Sequence, residues 1–394
     1  MTRPDRQIVI VDGARTPIGR YGGVFRDTPA HELGAVAARA ALARSAVPAD
    51  AVEEVVMGCI GQVGPDAYNA RRVAIAAGLP VSTPAYTVNR LCGSGLQAIW
   101  SAAMEMRWNG LEFALAGGDE SMTRMPFYDF EARAGYKLGD RALVDGTVLM
   151  LTDPFYDIHM GLTAENVAER YGVSRAEQDE FAAESQRRAA TAAARAAFAE
   201  EIVPVSTGGR RAVEVTLDEH PRPDTTLEAL ARLRPAFREG GTVTAGNAAG
   251  INDGAAAVVL ATGSAAAERG LTPLVTLEAV ATGALDPDIM GYAPVVALRK
   301  LFERTGTTPD DIDAIECNEA FAAQAVAVIR DAKLDPERVN PYGGAIALGH
   351  PVGATGAILA LRLAKHLVRT DLELGVVTMC IGGGQALAAL FRRV

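Results

Sequence analysis

Short apolar runs alternate with alanine-rich helical stretches along most of this 394-residue chain. Residues 8–11, 55–58, 113–116, 256–260, 274–280, 314–317 and 376–380 read as buried strands, because each is a brief, nearly continuous apolar run. Residues 31–45, 94–108, 295–305, 320–332 and 355–368 read as helices. Strands and helices in alternation require layered α/β architecture, since each element buries its apolar face on the next. The pattern also repeats. The interval from Cys59 to Cys92 is 33 residues, and so is that from Cys317 to His350. Each interval ends in a glycine-rich turn leading into a helix. Two halves of one ancestral unit would place Cys92 and His350 at equivalent strand-to-helix turns.

Residues 121–249 break the alternation. They hold an Arg/Gly loop (133–140), a helix-rich part (163–198) and a proline-containing region (204–235), and they read as an insertion.

Charge excludes some functions. The net charge is −10, which disfavours general nucleic-acid binding. Of 38 basic residues only Lys137, Lys300, Lys333 and Lys365 are lysines. Arginine's bidentate fork keeps a phosphate-bearing ligand plausible. The four cysteines (Cys59, Cys92, Cys317 and Cys380) form no CxxC pair, so neither a zinc site nor a disulfide framework is expected. The chain shows no signal-peptide pattern, no run approaching the ~20 apolar residues of a membrane span, and no peroxisomal address at Arg392-Arg393-Val394. A reducing cytoplasm is the expected location.

Three turns carry the chemistry. Cys92 lies in Asn89-Arg90-Leu91-Cys92-Gly93-Ser94-Gly95-Leu96, after a β-leaning stretch and before a helical one. Small neighbours leave the thiol open to a substrate, and a helix N-terminus behind it favours the thiolate. His350 lies among glycines in Gly349-His350-Pro351-Val352-Gly353; a histidine merely packed in a tight turn fits that pattern as well. Cys380 precedes Ile381-Gly382-Gly383-Gly384, where successive N–H groups can form an anion nest. A small buried hydrophobe is the commoner fate of such a cysteine. Asn318, in Asn318-Glu319-Ala320-Phe321, either caps a helix or holds a water or carbonyl oxygen. One thiol and one histidine suggest a papain-like hydrolase. Two thiols and a histidine suggest instead that one thiol carries an acyl group while the other moves a proton at carbon.

With those turns in place, the chain resembles the thiolase family from end to end. The resemblance rests on residues 88–99, 340–356 and 376–384, in the family's order and spacing. It implies the α/β thiolase fold: two pseudo-symmetric layered α/β/α/β/α halves (1–121 with 250–272, and 273–394) and an inserted loop domain (122–249). It further implies that Cys92 accepts the acyl group, that His350 activates it and helps bind the thioester oxygen, and that Asn318 holds a water in that first oxyanion hole. Cys380 would be the acid/base at the substrate α-carbon. The N–H groups of Cys92 and Gly382 would form the second oxyanion hole. Leu151, His159, Met160, Arg222 and Phe237 match coenzyme A-binding positions, and Met290 and Phe321 match positions near the acyl pocket. No metal and no cofactor is implied, because coenzyme A thioesters are themselves the substrates.

Residues 159–166 and the 133–140 loop resemble the short-chain branch. They imply reversible condensation of two acetyl-CoA into acetoacetyl-CoA and CoA, in a homotetramer built as a dimer of dimers, with no nucleic-acid or membrane partner. A broad-chain 3-ketoacyl-CoA thiolase is the alternative. A non-catalytic thiolase-fold scaffold is disfavoured, since Cys92, His350, Cys380 and Asn318 are all present. Three positions depart from the pattern. Ala249 stands where acetoacetyl-type members usually carry a serine that donates to the pantetheine arm. Tyr292 and Tyr342 replace smaller residues, and each either reshapes the acyl pocket or lies outside it.

Overall fold

Val9 and Val11 face one side of the first strand and Ile8 and Ile10 the other, and all four are buried. Strands covered on both faces are what nearly continuous apolar runs produce. The computed structural model describes residues 7–62, 64–208 and 212–394. Residues 1–6 and 63 of the expected first half and 209–211 of the middle segment lie outside the described residues.

The strands of four or more residues are β1 (Ile8–Arg15), β2 (Glu54–Gly58), β3 (Ala85–Val88), β4 (Phe113–Ser121), β5 (Asn252–Thr262), β6 (Val275–Ala284), β7 (Ala314–Cys317), β8 (Leu374–Ile381) and β9 (Gln385–Arg393). Their spatial order is β7-β8-β9-β6-β1-β5-β4-β2-β3. Read outward from the junction of β1 with β6, the order β1-β5-β4-β2 is answered by β6-β9-β8-β7. Even β3 has a counterpart: Val339 bridges Ile315 of β7 in parallel, as β3 runs parallel to β2. Among the described residues, β1 and β6 pair through two antiparallel rungs, Val9 with Thr276 and Ile10 with Val275.

The helices used below are α1 (Ala30–Ser45), α2 (Asn69–Ala76), α3 (Ser94–Asn109), α4 (Met160–Tyr171), α5 (Arg175–Ala189), α6 (Ala192–Glu201), α7 (Ala293–Thr305), α8 (Ala322–Asp331) and α9 (Thr355–Thr370). α3 and α9 each run 16 residues and end in a left-handed cap, Gly110 and Asp371. In both cases the next strand begins soon after, at Phe113 and Leu374. These two helices share one core with the inner faces of both halves, through Leu96, Ile99, Met106, Ile358, Leu361 and Leu367. α1 and α2 cover the outer face of the first half, and α7 and α8 that of the second. The result is five layers with α3 and α9 in the middle, so the turns before both helices open into the same space. Each fully buried Leu or Ile contributes about 1.5–3 kcal/mol to holding that layer.

Two differences from the sequence reading have physical causes. The segment 385–393 lacks β-branched residues, yet it forms β9 because it lies in full register between β8 and β6. The helix expected from 320 starts at Ala322, because Phe321 is extended and bridges Ala248. α2 was not anticipated. Among the described residues no helix is long and apolar enough to cross a membrane.

Candidate active site

Cys92 sits on a strained, well-braced turn. Leu91 adopts φ 48°, a left-handed conformation that costs a branched residue roughly 1–3 kcal/mol. Two side chains hold it there. Asn89 Oδ1 accepts the Leu91 N–H at 3.0 Å. Ser94 Oγ accepts the Arg90 N–H at 2.9 Å and donates to the Leu91 carbonyl at 2.6 Å. The backbone N–H groups of Gly382 and of Cys92 itself point at the half-buried thiol. Both favour the thiolate, but burial outweighs them and pushes the thiol up to about 11. Desolvation is the larger effect, so whatever favour the α3 N-terminus lends the thiolate does not prevail in the unliganded protein.

β8 delivers Cys380, which is 1% exposed, to the triple-glycine turn. Gly383 and Gly384 both take φ 75°, a conformation that lets the chain double back into β9 and turns the Gly382 N–H toward Cys92. Burial holds the Cys380 thiol well above its ordinary range, and the nearby Cys92 adds to the effect.

His350 enters from the second half. Its N–H donates to Asn252 Oδ1 at 3.0 Å, and Ile251 bridges it in parallel. Its Nδ1 lies 2.6 Å from Thr355 Oγ1 and its Nε2 3.4 Å from Asn318 Nδ2. Burial lowers the imidazole to about 4, so it is neutral at physiological pH. Asn318 is completely buried, and α8 begins four residues later at Ala322, so Asn318 does not cap it. The turn is fixed by Asn340, whose side chain makes 2.8 Å hydrogen bonds to the Cys317 N–H, the Cys317 carbonyl and Glu319 Oε1. Among the described residues Asn318 Oδ1 is buried without a protein partner.

The middle segment and the second half together supply an apolar wall. Met160, Met290, Phe321, Ala248 and Cys380 belong to one cluster, with Phe237 packed against it. His159 stacks on Phe237 (4.9 Å between ring centres, 17°), and Phe237 meets Phe321 edge-on at 6.2 Å. Leu151 adjoins through its carbonyl, which accepts the Met160 N–H at 2.8 Å. The Ala249 N–H donates to the Ala320 carbonyl at 2.9 Å, so the 247–249 strap is laced to the chain following Asn318. Arg222 lies apart, on a cavity of about 450 Å³ shared with Arg20, His220 and Leu233 and lined by neither thiol. Both doubtful tyrosines turn away from the apolar wall. Tyr292 stacks on Tyr171 at 3.8 Å and donates to Asp331 at 2.9 Å. The Tyr342 hydroxyl lies 3.0 Å from His366 Nδ1 and accepts from Arg369 at 3.2 Å.

Two supporting side chains escape sequence reasoning. The buried Glu120 carboxylate accepts the N–H groups of Ile60, Gly61 and Gly353 at 2.9–3.1 Å and so ties the first half to the His350 turn. Burial raises it to about 7 against the pull of those donors. Asn252, besides holding His350, donates to the Gly19 carbonyl at 2.9 Å. The available signal was polar residues at the ends of otherwise apolar strands, Asp119-Glu120 and Asn252-Asp253. Among the described residues no cluster of His, Cys, Asp or Glu is arranged to hold a metal ion.

This fold and this pair of thiols define a thiolase. A family model described as "Thiolase, N-terminal domain" matches residues 8–264, and one described as "Thiolase, C-terminal domain" matches residues 271–393. The chain belongs to the thiolase family and is an acyltransferase of the acetyl-CoA acyltransferase kind. It is 49% identical over 392 residues to beta-ketothiolase BktB of Cupriavidus necator, covering 99% of this chain and 100% of the relative. It is 46% identical to a probable acetyl-CoA acyltransferase of Staphylococcus aureus, with 98% of each covered. Among solved structures it resembles the Bacillus anthracis acetyl-CoA acetyltransferase (TM-score 0.96, 41% identity, 98% and 99% covered). It also resembles human mitochondrial 3-ketoacyl-CoA thiolase in complex with CoA (TM-score 0.95, 40% identity, 99% and 98% covered).

Proposed function

We propose that this protein is an acetyl-CoA C-acetyltransferase that condenses two acetyl-CoA reversibly into acetoacetyl-CoA and CoA through an acetyl-Cys92 intermediate. The observation that carries the reading is the convergence of the Gly382 and Cys92 N–H groups on the Cys92 thiol, with Cys380 close enough to feel its charge. Two such donors would hold the carbonyl oxygen of an acetyl-cysteine, and removing one typically costs ~10²–10³ in rate.

In the first half-reaction Cys92 attacks the thioester carbon while His350 takes the thiol proton, and CoA leaves with a proton. In the second, Cys380 removes an α-proton from a new acetyl-CoA. The enolate oxygen is held by His350 and by a water on Asn318. The carbanion then attacks acetyl-Cys92, and the departing Cys92 sulfur takes up the proton that Cys380 removed. Because the acetyl group waits on the enzyme between two CoA molecules, the kinetics are ping-pong. His159, Met160, Leu151, Phe237 and Ala249 would carry the pantetheine arm, Arg222 a phosphate of CoA, and Met290 and Phe321 the acyl end. No metal or further cofactor takes part in this scheme.

The proposed division is 1–121 with 250–272, a loop domain 122–249, and 273–394. It is supported by β4 ending at Ser121, β5 beginning at Asn252, and the two family matches meeting between 264 and 271. The exposed Phe127, Phe130, Leu138 and Leu143 favour a homotetramer joined through this segment; sedimentation as a monomer would oppose it. Free cysteines suit the cytoplasm.

A broad-chain 3-ketoacyl-CoA thiolase is the second reading. It is favoured by Tyr292 and Tyr342 facing away from the acyl wall, which leaves flexible Met160 and Met290 there. Thiolysis rates across C4, C8 and C10 3-ketoacyl-CoA substrates separate the two. The acetyltransferase reading expects the highest kcat/KM at C4; a rate that climbs with chain length reverses it.

A further inference from the structure

We propose that Phe155 is a specificity-determining residue: its ring is the surface along which an acyl chain longer than acetyl runs out from Cys92. The inference rests on the acyl-Cys92 intermediate proposed above and adds where the tail of that acyl group lies.

In the direction of thiolysis, the carbon that Cys92 attacks is C3 of the 3-ketoacyl chain. Everything beyond C3 therefore starts at the Cys92 sulfur, beside the Gly382 N–H that points at it. The other end of the substrate is committed elsewhere, because Arg222, proposed for a CoA phosphate, lies on a cavity that neither thiol lines. The triple-glycine turn is the way left for the tail, and apolar side chains mark it. A methyl group on Gly382 would lie 3.1 Å from Leu91 Cδ1 and 3.6 Å from Met160 Cε. One on Gly383 would lie 3.5 Å from Phe155 Cε2, and apart from the adjoining residues no other described heavy atom comes within 4 Å of it. Gly383 thus faces open space bounded by the Phe155 ring. On Gly384 the turn is closed instead, since a methyl group there would strike the Leu285 carbonyl at 2.2 Å.

The backbone that presents Phe155 is firmly held. Thr152 pairs with His159 and Asp153 with Ile158, which closes a short hairpin around it. The fully buried Asp153 accepts the Phe155 and Tyr156 N–H groups at 2.9 and 3.0 Å. The Tyr156 hydroxyl donates to Asp286 at 2.8 Å, and the adjoining Leu285 N–H donates to the Gly384 carbonyl at 2.8 Å. Hairpin and glycine turn are therefore fixed to the same two residues, which lead into Met290 of the apolar wall. Yet the Phe155 side chain is 70% exposed. An aromatic ring braced beside the nucleophile's turn and left in water suits an apolar segment that arrives with the substrate. Acetyl has no tail to lay there, whereas the acyl group that 3-ketooctanoyl-CoA leaves on Cys92 does.

The test is thiolysis of acetoacetyl-CoA (C4) and 3-ketooctanoyl-CoA (C8) by full-length wild type, Phe155→Ala and Phe155→Leu. Phe155→Ala is expected to lower kcat/KM about tenfold more for the C8 substrate than for the C4 one, the lower end of what apolar contact with a methylene is worth. Phe155→Leu keeps an apolar surface and is expected to retain most of the C8 rate. Because the ring is on the surface, both variants are expected to melt as the wild type does. An equal change on the two substrates, or none, overturns the proposal. So does faster C8 thiolysis by Phe155→Ala, which would make the ring a barrier, and so does a wild type that turns over C4 alone. A wild type inert on both substrates refutes the proposed reaction itself.

Discussion

At Cys92 two influences compete. Backbone N–H groups favour the thiolate, and burial favours the thiol and prevails at about 11. On the proposed reading those donors serve a substrate oxygen that arrives with the acyl group rather than the unliganded sulfur. Ala249 is the residue-scale departure with a measurable consequence. It is half-buried beside the bridge from Ala248 to Phe321 and has no side-chain donor for a pantetheine arm. Ala249→Ser is expected to lower KM for CoA by roughly 2- to 13-fold, the worth of one hydrogen bond at 0.5–1.5 kcal/mol, with kcat unchanged. Steady-state thiolysis checks this, and an unchanged KM would place the arm elsewhere. Cys92, His350 and Cys380 were legible because each stands on a glycine-rich turn whose composition is expensive without a purpose. Glu120 and Asn252 were not, because their partners are backbone groups more than 50 residues away and nothing local in a sequence reports such contacts.

Among the elements, α3 and α9 decide whether the two halves of the site meet. Their first turns approach backbone to backbone. A methyl group on Gly95 would lie 2.7 Å from the Ala357 nitrogen, and one on Gly356 only 2.4 Å from the Leu96 nitrogen. Because backbone cannot swing aside, Gly95→Ala must separate the helices that position Cys92 and His350. The expected cost is about 1–3 kcal/mol, the usual penalty for overpacking, together with a fall in kcat larger than any change in KM. Denaturant titration and thiolysis kinetics read the two effects; a variant with wild-type midpoint and kcat would show that the contact is slack. The alternation of apolar and helical segments disclosed most of these elements. It missed β9, whose alanine and leucine content suits a helix and whose strand form comes wholly from pairing with β6 and β8. It also missed the start of α8, set by the tertiary bridge at Phe321.

Across the whole molecule, buried titratable groups set the pH response. Burial raises Asp119 and Glu316 to about 8 each. An acid whose folded pKa is raised stabilises fully below its unfolded value and loses that contribution as pH rises through the folded one. Burial also lowers His220, His350 and His366 to about 4, and a base with a depressed pKa stabilises above its unfolded value near 6.5 and loses that as pH falls. The two sets oppose each other below about 6.5; above it only the carboxylates still titrate. Tm is therefore expected to fall between pH 6.5 and 8, and calorimetry showing a rise there would contradict the assignment. The central claim also belongs to this scale: β3 and α3 of one half present Cys92, β8 of the other presents Cys380 and the Gly382 donor, and together they hold an acetyl group between two CoA molecules. Intact mass spectrometry after brief exposure to acetyl-CoA tests it most directly. One acetyl group is expected on the wild type, removable by free CoA, and none on Cys92→Ala; an equal adduct on Cys92→Ala, or none on the wild type, would contradict the account.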